Sequence, residues 1–84
     1  MGRKILIVED DENSRLLLEE IFRAQNYEDI ATAANGLEGL EKVKKVKPDV
    51  IISDALMPEM DGFAFLKRLK NDAATADIPV MIVT

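Results

Sequence analysis

The chain has 84 residues, of which 48% are hydrophobic and 32% charged, and its formal net charge is −5. This composition is typical of one small globular domain, and the acidic balance argues against nucleic-acid binding, which needs clustered lysine and arginine. Because the sequence contains no cysteine and no histidine, it excludes disulfides, thiolate chemistry and histidine-ligated metals. The absence of cysteine fits the cytosol, so we expect a cytoplasmic protein. No apolar run is long enough to span a membrane, so we expect no membrane contact.

An apolar run followed by four acids opens the chain. Residues 5–8 are uninterrupted apolar residues, which predicts a central strand of a sheet. Glu9, Asp10, Asp11 and Glu12 follow at once. A helix dipole stabilises acids in the first turn of a helix, which accounts for Asp11 and Glu12. Glu9 and Asp10 fall where the strand ends, so both a polar turn and a metal site remain open there.

The next segments alternate between helical and extended patterns. A first helix is predicted over about residues 12–25, a short strand over 29–33 and a second helix over 36–45. The apolar stripe of the first helix comprises Leu17, Leu18, Ile21, Phe22 and Ala24. Asn35 is expected to cap the second helix. Gly39 inside that helix indicates either close packing or local weakness.

The stretch from Val50 to Gly62 carries the most informative acid. It begins with β-branched residues that are typical of a buried strand, and it places Asp54 at the end of that strand. A carboxylate in this position is costly unless a metal, hydrogen-bond donors or solvent reach it. In the loop that follows, Asp61 fits a helix cap better than a metal ligand.

A third helix over about residues 62–71 and a fourth strand over residues 78–83 complete the pattern before Thr84. The order βαβαβαβ, with connections of crossover length, predicts a parallel sheet with helices on both faces. The ligand crevice of such a sheet lies at the carboxyl ends of its strands. The acids that end two of these strands therefore mark the candidate site.

Three carboxylates would converge in that crevice if the first and third strands are neighbours. They belong to Glu9, Asp10 and Asp54. Their mutual repulsion would be relieved by a divalent cation, and oxygen-only ligands favour Mg²⁺. Asp54 could then attack a phosphorus atom and form an aspartyl phosphate. The Thr84 hydroxyl could donate a hydrogen bond to a phosphoryl oxygen.

Three motifs now identify a resemblance that covers all 84 residues. They are Ile-Leu-Ile-Val-Glu-Asp-Asp, Asp-Ala-Leu-Met-Pro-Glu-Met-Asp-Gly and Ile-Pro-Val-Met-Ile-Val-Thr. Their order and spacing closely resemble the receiver domain of bacterial two-component response regulators. The resemblance implies a flavodoxin-like α/β fold, with a parallel sheet of strand order 2-1-3-4. It also implies Mg²⁺-dependent phosphorylation by a sensor histidine kinase or a phosphotransfer protein.

The resemblance assigns a role to each site residue. Asp54 matches the phospho-acceptor, and Glu9 and Asp10 match the acidic pair that holds Mg²⁺, with Asp10 the more direct ligand. The backbone carbonyl of Leu56 matches a further metal ligand, and Thr84 matches the hydroxyl residue that switches the domain. Such a domain is a signalling module rather than an enzyme, although it assists its own phosphotransfer and dephosphorylation.

One departure from the family pattern concerns the end of the sequence. The family's fold continues with a helix, a strand that ends in a lysine, and a last helix, whereas this sequence ends at Thr84. We therefore expect residues 1–84 to form a partial receiver domain, truncated after the fourth strand and impaired in its chemistry. An exposed fourth strand and an uncovered sheet face would favour a homo-oligomer.

Two other functions are weighed against this one. The chain could be an inert structural or interaction fragment that folds by self-association. It could also be a phosphatase or mutase with an aspartate nucleophile, but such enzymes usually carry a second acid two residues after the nucleophile. Leu56 occupies that position, which makes this third interpretation the weakest.

Overall fold

Strands and helices alternate along the part of the chain that the structure, a computed structural model, describes, namely residues 3–57 and 60–83. The elements are β1 (Lys4–Val8), α1 (Glu12–Ala24), β2 (Asp29–Ala33), α2 (Gly36–Val46), β3 (Val50–Asp54), α3 (Gly62–Lys70) and β4 (Val80–Val83). β4 begins two residues later than expected, because the Ile78 N–H donates to the carbonyl of Thr75 in a turn. In these ranges, no helix has both the length and the apolar content that crossing a bilayer requires.

The four strands form one parallel sheet in the order β2-β1-β3-β4. This arrangement confirms the predicted flavodoxin-like topology and makes β1 and β3 neighbours. β1 lies inside the sheet, and its residues 5–8 are fully buried, as their apolar run predicts. Because all the strands run in the same direction, the residues that follow β1 and β3 lie at the same edge of the sheet.

One face of the sheet packs against α2 and α3. The buried residues of this cluster are Leu6, Val8, Ala33, Val43, Ile51, Phe65 and Leu69. Gly39 of α2 faces this cluster, and a Cβ atom added there would lie 3.1 Å from both the Phe65 ring and a methyl group of Val8. Close packing, rather than local weakness, therefore accounts for the glycine inside α2.

The other face of the sheet packs against α1 along a narrow line. Leu18 and Phe22, one turn apart, contact the buried isoleucines of β1 and β3. The predicted stripe was too wide: Leu17 and Ile21 are 59% and 42% exposed. Hydrophobic periodicity finds the apolar side of a helix, but the neighbouring elements decide how much of that side is covered.

Each helix begins at a side chain that accepts a hydrogen bond from its first turn. The caps and donors are Asp11 with the Ser14 N–H at 2.9 Å, Asn35 with the Glu38 N–H at 2.9 Å, and Asp61 with the Ala64 N–H at 2.8 Å. These bonds satisfy backbone donors that have no partner within the helix. The caps predicted at Asn35 and Asp61 are confirmed. They fix the starts of α2 and α3 close to the carboxyl ends of the strands.

Candidate functional site

The edge of the sheet after β1 and β3 brings three acids together. Val8 pairs with Ser53 in the parallel register, so the next residues, Glu9 and Asp54, lie at the same level. Carboxylate oxygens of Glu9, Asp10 and Asp54 all lie within 4.8 Å of one another. The sequence predicted this convergence on the condition that β1 and β3 are neighbours, and the strand order meets that condition. The role of each acid as a ligand stays a prediction.

Glu9 is the most tightly held of the three acids. It is 7% exposed, and its N–H donates to the Ala33 carbonyl of β2 at 3.0 Å. Its carboxylate oxygen Oε2 accepts the Asp11 N–H at 3.1 Å, and its backbone carbonyl accepts a 2.8 Å hydrogen bond from Nη1 of Arg15. The backbone at the end of β1 is therefore fixed by contacts from both β2 and α1.

The electrostatics of the cluster disfavour a full set of charges. Burial raises the pKa of the Glu9 carboxyl above its ordinary value, and Asp10 and Asp54 raise it further through a side-chain hydrogen bond and their charges. The hydrogen bond from the Asp11 N–H lowers this pKa and opposes part of the effect. A cation among the three acids would favour the ionised form of each. Since the donors are all carboxylate oxygens, the residues present fit a hard divalent cation such as Mg²⁺.

Asp54 is half-buried, and its backbone is held on several sides. It pairs with Val83 of β4, and the hydroxyl of Ser53 donates to its carbonyl at 3.0 Å. The first residue of α3, Gly62, returns to the same place: its N–H donates to the Ala55 carbonyl at 2.9 Å. A Cβ atom at Gly62 would lie only 2.2 Å from the Asp54 carbonyl oxygen, so this position requires glycine. A backbone held by several contacts thus carries a carboxylate that is partly accessible to solvent.

Two further predicted site residues, Leu56 and Thr84, lie after the ends of β3 and β4. Leu56 follows Asp54 by two residues, and its side chain is 80% exposed. Its backbone carbonyl as a metal ligand stays a prediction. Thr84 lies outside the described residues, so its switch role also stays a prediction. Its predecessor Val83 is the strand partner of Asp54.

Three residues around the site were not identified as part of it from the sequence. They are Arg15, which binds the Glu9 carbonyl; Ser53, which binds the Asp54 carbonyl; and Gly62, which packs against Asp54. For Arg15, the usable signal is a basic residue about one turn into a helix that follows four acids. A buried serine in an apolar strand is a usable signal for Ser53, because an unpaired buried hydroxyl would be costly.

A cavity away from the acids lies between two helices. It occupies about 440 Å³ between the last turns of α2 and α3, and its lining includes Val43, Lys44, Arg68 and Leu69. The acids do not line this cavity. At the carboxyl ends of the strands, the three clustered carboxylates could bind a cation, and a carboxylate is also a possible nucleophile.

Comparison with known proteins gives consistent matches. The family described as response regulator receiver domain matches residues 5–84. The response regulator PleD of Caulobacter vibrioides is 40% identical over all 84 residues, which correspond to 18% of PleD. Sporulation initiation phosphotransferase F of Bacillus subtilis is 43% identical over the whole chain and 65% of its own length. The crystal structure of the N-terminal domain of a response regulator receiver protein from Methanoculleus marisnigri JR1 is 36% identical, with a TM-score of 0.92 over 96% of this chain and 65% of that one.

These matches cover both the parallel sheet and the three acids at the carboxyl ends of its strands. The chain spans less than two thirds of the length of each of these three proteins. The family match nevertheless begins in β1 and includes the three acids that the sheet brings together. The chain therefore belongs to the family of response regulator receiver domains, the signalling modules of two-component systems.

Proposed function

We propose that this chain is a phospho-accepting receiver module that is phosphorylated on Asp54 by a histidine kinase or a phosphotransfer protein. The observation that carries the proposal is the convergence of Glu9, Asp10 and Asp54 within 4.8 Å, in a chain of this family. The three acids and the Leu56 carbonyl would hold Mg²⁺. We place the module in the cytoplasm, with which a sequence without cysteine is compatible.

The proposed reaction assigns a distinct task to each residue. An oxygen of the Asp54 carboxylate attacks the phosphorus atom, the bond from phosphorus to the donor breaks, and the donor atom keeps the electron pair. Mg²⁺, when bound, neutralises charge on the transferred group. Asp10 would bind this cation directly from the end of β1. Glu9, which is buried beside it, would support the cation from the same side. The Thr84 hydroxyl then donates to a phosphoryl oxygen. The phosphoryl group stays on Asp54 of the domain itself, so the domain acts as a signalling component. It also assists its own phosphotransfer and dephosphorylation.

The proposal is tested with the full chain, a small-molecule phosphodonor such as acetyl phosphate, and Mg²⁺. Intact-protein mass spectrometry should show a gain of one phosphoryl group, because Asp54 is half-buried rather than enclosed. Chelation of the metal with EDTA should prevent the gain. A chain that gains no mass under these conditions would support the alternative of an inert interaction fragment.

We also infer that the chain self-associates through β4. This strand reads Val-Met-Ile-Val, and within residues 3–57 and 60–83 it pairs with β3 alone. Its Met81 side chain is 55% exposed. An apolar edge strand is a template for a strand of another chain, and a second copy offers the same edge.

Light scattering at micromolar concentration measures this association. The mass should exceed the 9.4 kDa of one chain, and Met81→Lys should lower it towards the monomer, because a charge at a strand edge opposes pairing. Phe63→Lys, at an exposed apolar residue of α3, is the matched control and should leave the mass unchanged. A monomeric unsubstituted chain with a native circular dichroism spectrum would contradict the inference.

A further inference from the structure

Arg15 connects α1 to the backbone of the acid cluster. Its own N–H donates to the Asp11 carbonyl at 2.9 Å in the first turn of the helix. Its guanidinium reaches further back, and Nη1 donates to the Glu9 carbonyl at 2.8 Å. One residue of α1 therefore contacts both ends of the segment from Glu9 to Asp11.

The contact with Glu9 acts on the neighbouring acid as well. The Glu9 carbonyl belongs to the same peptide plane as the Asp10 N–H, and a peptide unit is rigid. On the other side, the Glu9 N–H is held by Ala33 of β2 at 3.0 Å. With both of its flanking peptide planes fixed, Glu9 has a defined backbone conformation. The direction in which the chain enters Asp10 is then defined too.

Asp10 has more need of such support than the other two acids. It is exposed, whereas Glu9 is buried and Asp54 is half-buried within a strand. It also lies after the end of β1, outside the ladder of strand hydrogen bonds. A hydrogen bond from a charged donor to the adjacent carbonyl is about twice as strong as one between neutral groups.

We propose that Arg15 is a positioning residue for Mg²⁺, which fixes the Glu9–Asp10 peptide so that the Asp10 carboxylate is presented towards Glu9 and Asp54. This inference rests on the proposed function, because it concerns the same metal site. Arg15 itself does not touch the metal or the phosphoryl group. Its positive charge, taken alone, would repel Mg²⁺ and weaken its binding. An effect through charge and an effect through positioning therefore predict opposite changes in Mg²⁺ affinity when Arg15 is replaced.

The direction in which Arg15→Met changes the Mg²⁺ affinity therefore distinguishes the two roles. If Arg15 acts only through its charge, Arg15→Met removes a repulsion and tightens Mg²⁺ binding. If Arg15 positions the peptide, the same change weakens Mg²⁺ binding, by about tenfold for loss of an outer contact that orients a ligand. Isothermal titration of the full chain with Mg²⁺ measures this affinity without any phosphodonor.

Two further variants complete the experiment. Arg23→Met removes the same charge from the exposed last turn of α1 and should leave the Mg²⁺ affinity within about twofold, since exposed charges at long range are screened. Arg15→Lys keeps the charge and one donor, and its affinity should lie between those of the unsubstituted chain and Arg15→Met. If Arg23→Met lost as much Mg²⁺ affinity as Arg15→Met, the proposal would be overturned.

An NMR signal reports the positioning directly. The amide of Asp10 shares its peptide with the Glu9 carbonyl, so its ¹⁵N shift in metal-free protein should move in both Arg15 variants and stay in place in Arg23→Met. If Arg15→Met does not fold, an unmoved Asp10 amide and an unchanged Mg²⁺ affinity in Arg15→Lys would overturn the proposal. Equal or tighter binding by folded Arg15→Met would also overturn it. Absence of Mg²⁺ binding by the unsubstituted chain would contradict the proposed function itself.

Discussion

Replacing Asp54 with asparagine is expected to abolish the gain of one phosphoryl group that acetyl phosphate and Mg²⁺ should produce. An amide lacks the negatively charged oxygen that attacks phosphorus. The fold should be retained, because asparagine has nearly the same size as aspartate and because the backbone of residue 54 is held by β4 and by the Ser53 hydroxyl. Intact-protein mass spectrometry of the substituted and unsubstituted chains measures the effect.

A matched substitution separates loss of the acceptor from loss of charge. Asp77→Asn makes the same chemical change at an exposed position between α3 and β4, and it should phosphorylate like the unsubstituted chain. Persistence of the gain in Asp54→Asn would place the acceptor elsewhere. In that case, peptide mapping after reduction of the acyl phosphate would show whether Asp10 carries the group instead.

Replacing Phe65 with alanine is expected to cause the largest loss of stability. The ring is fully buried between α2 and the sheet, where it lies against Gly39 and Leu69 in the larger cluster. Truncation of a buried phenylalanine costs about 3–5 kcal/mol, and the free energy of unfolding of a small domain is only about 5–15 kcal/mol in total. Urea denaturation followed by circular dichroism should show a much lower midpoint, or a chain that is already unfolded in buffer.

Phe63 provides the control on the same helix. Its side chain is 61% exposed, so Phe63→Ala removes the same atoms with little change in buried surface. We expect a change in unfolding free energy within about 0.5 kcal/mol, as for most surface substitutions. Equal destabilisation by the two substitutions would contradict the packing described for α3.

Most of the fold could be predicted from local patterns. The apolar run in β1, the β-branched start of β3 and the caps at Asn35 and Asp61 each follow from the preferences of individual residues. Parallel strands then place Glu9 and Asp54 at one edge, whatever the details of packing. The strand order 2-1-3-4 is different, because it depends on long-range pairing and was available only through the resemblance to a family.

The remaining differences depend on contacts that the preferences of individual residues do not specify. The sides of α1 that carry Leu17 and Ile21 are as apolar as the side that carries Leu18, and only the geometry of the sheet decides which is covered. The later start of β4 follows from a local turn around Thr75, whose hydroxyl donates to the Leu69 carbonyl at 2.6 Å. The spacing of Arg15 after four acids points to the site, but its partner could not be identified from the sequence, since that partner is a backbone carbonyl and any residue type supplies one.

The contact of Gly62 with the Asp54 carbonyl has a mechanical consequence. Gly62 itself brings no side chain to this contact, so the backbone at the start of α3 packs directly against the backbone at the end of β3. Met60 lies two residues before Gly62, and a Cβ atom at Gly36 would lie 3.0 Å from it. The start of α2 therefore packs closely against the residue that leads into α3. A shift of the Asp54 backbone would therefore meet the first turn of α3 directly, and a side chain introduced at Gly62 would force the two backbones apart.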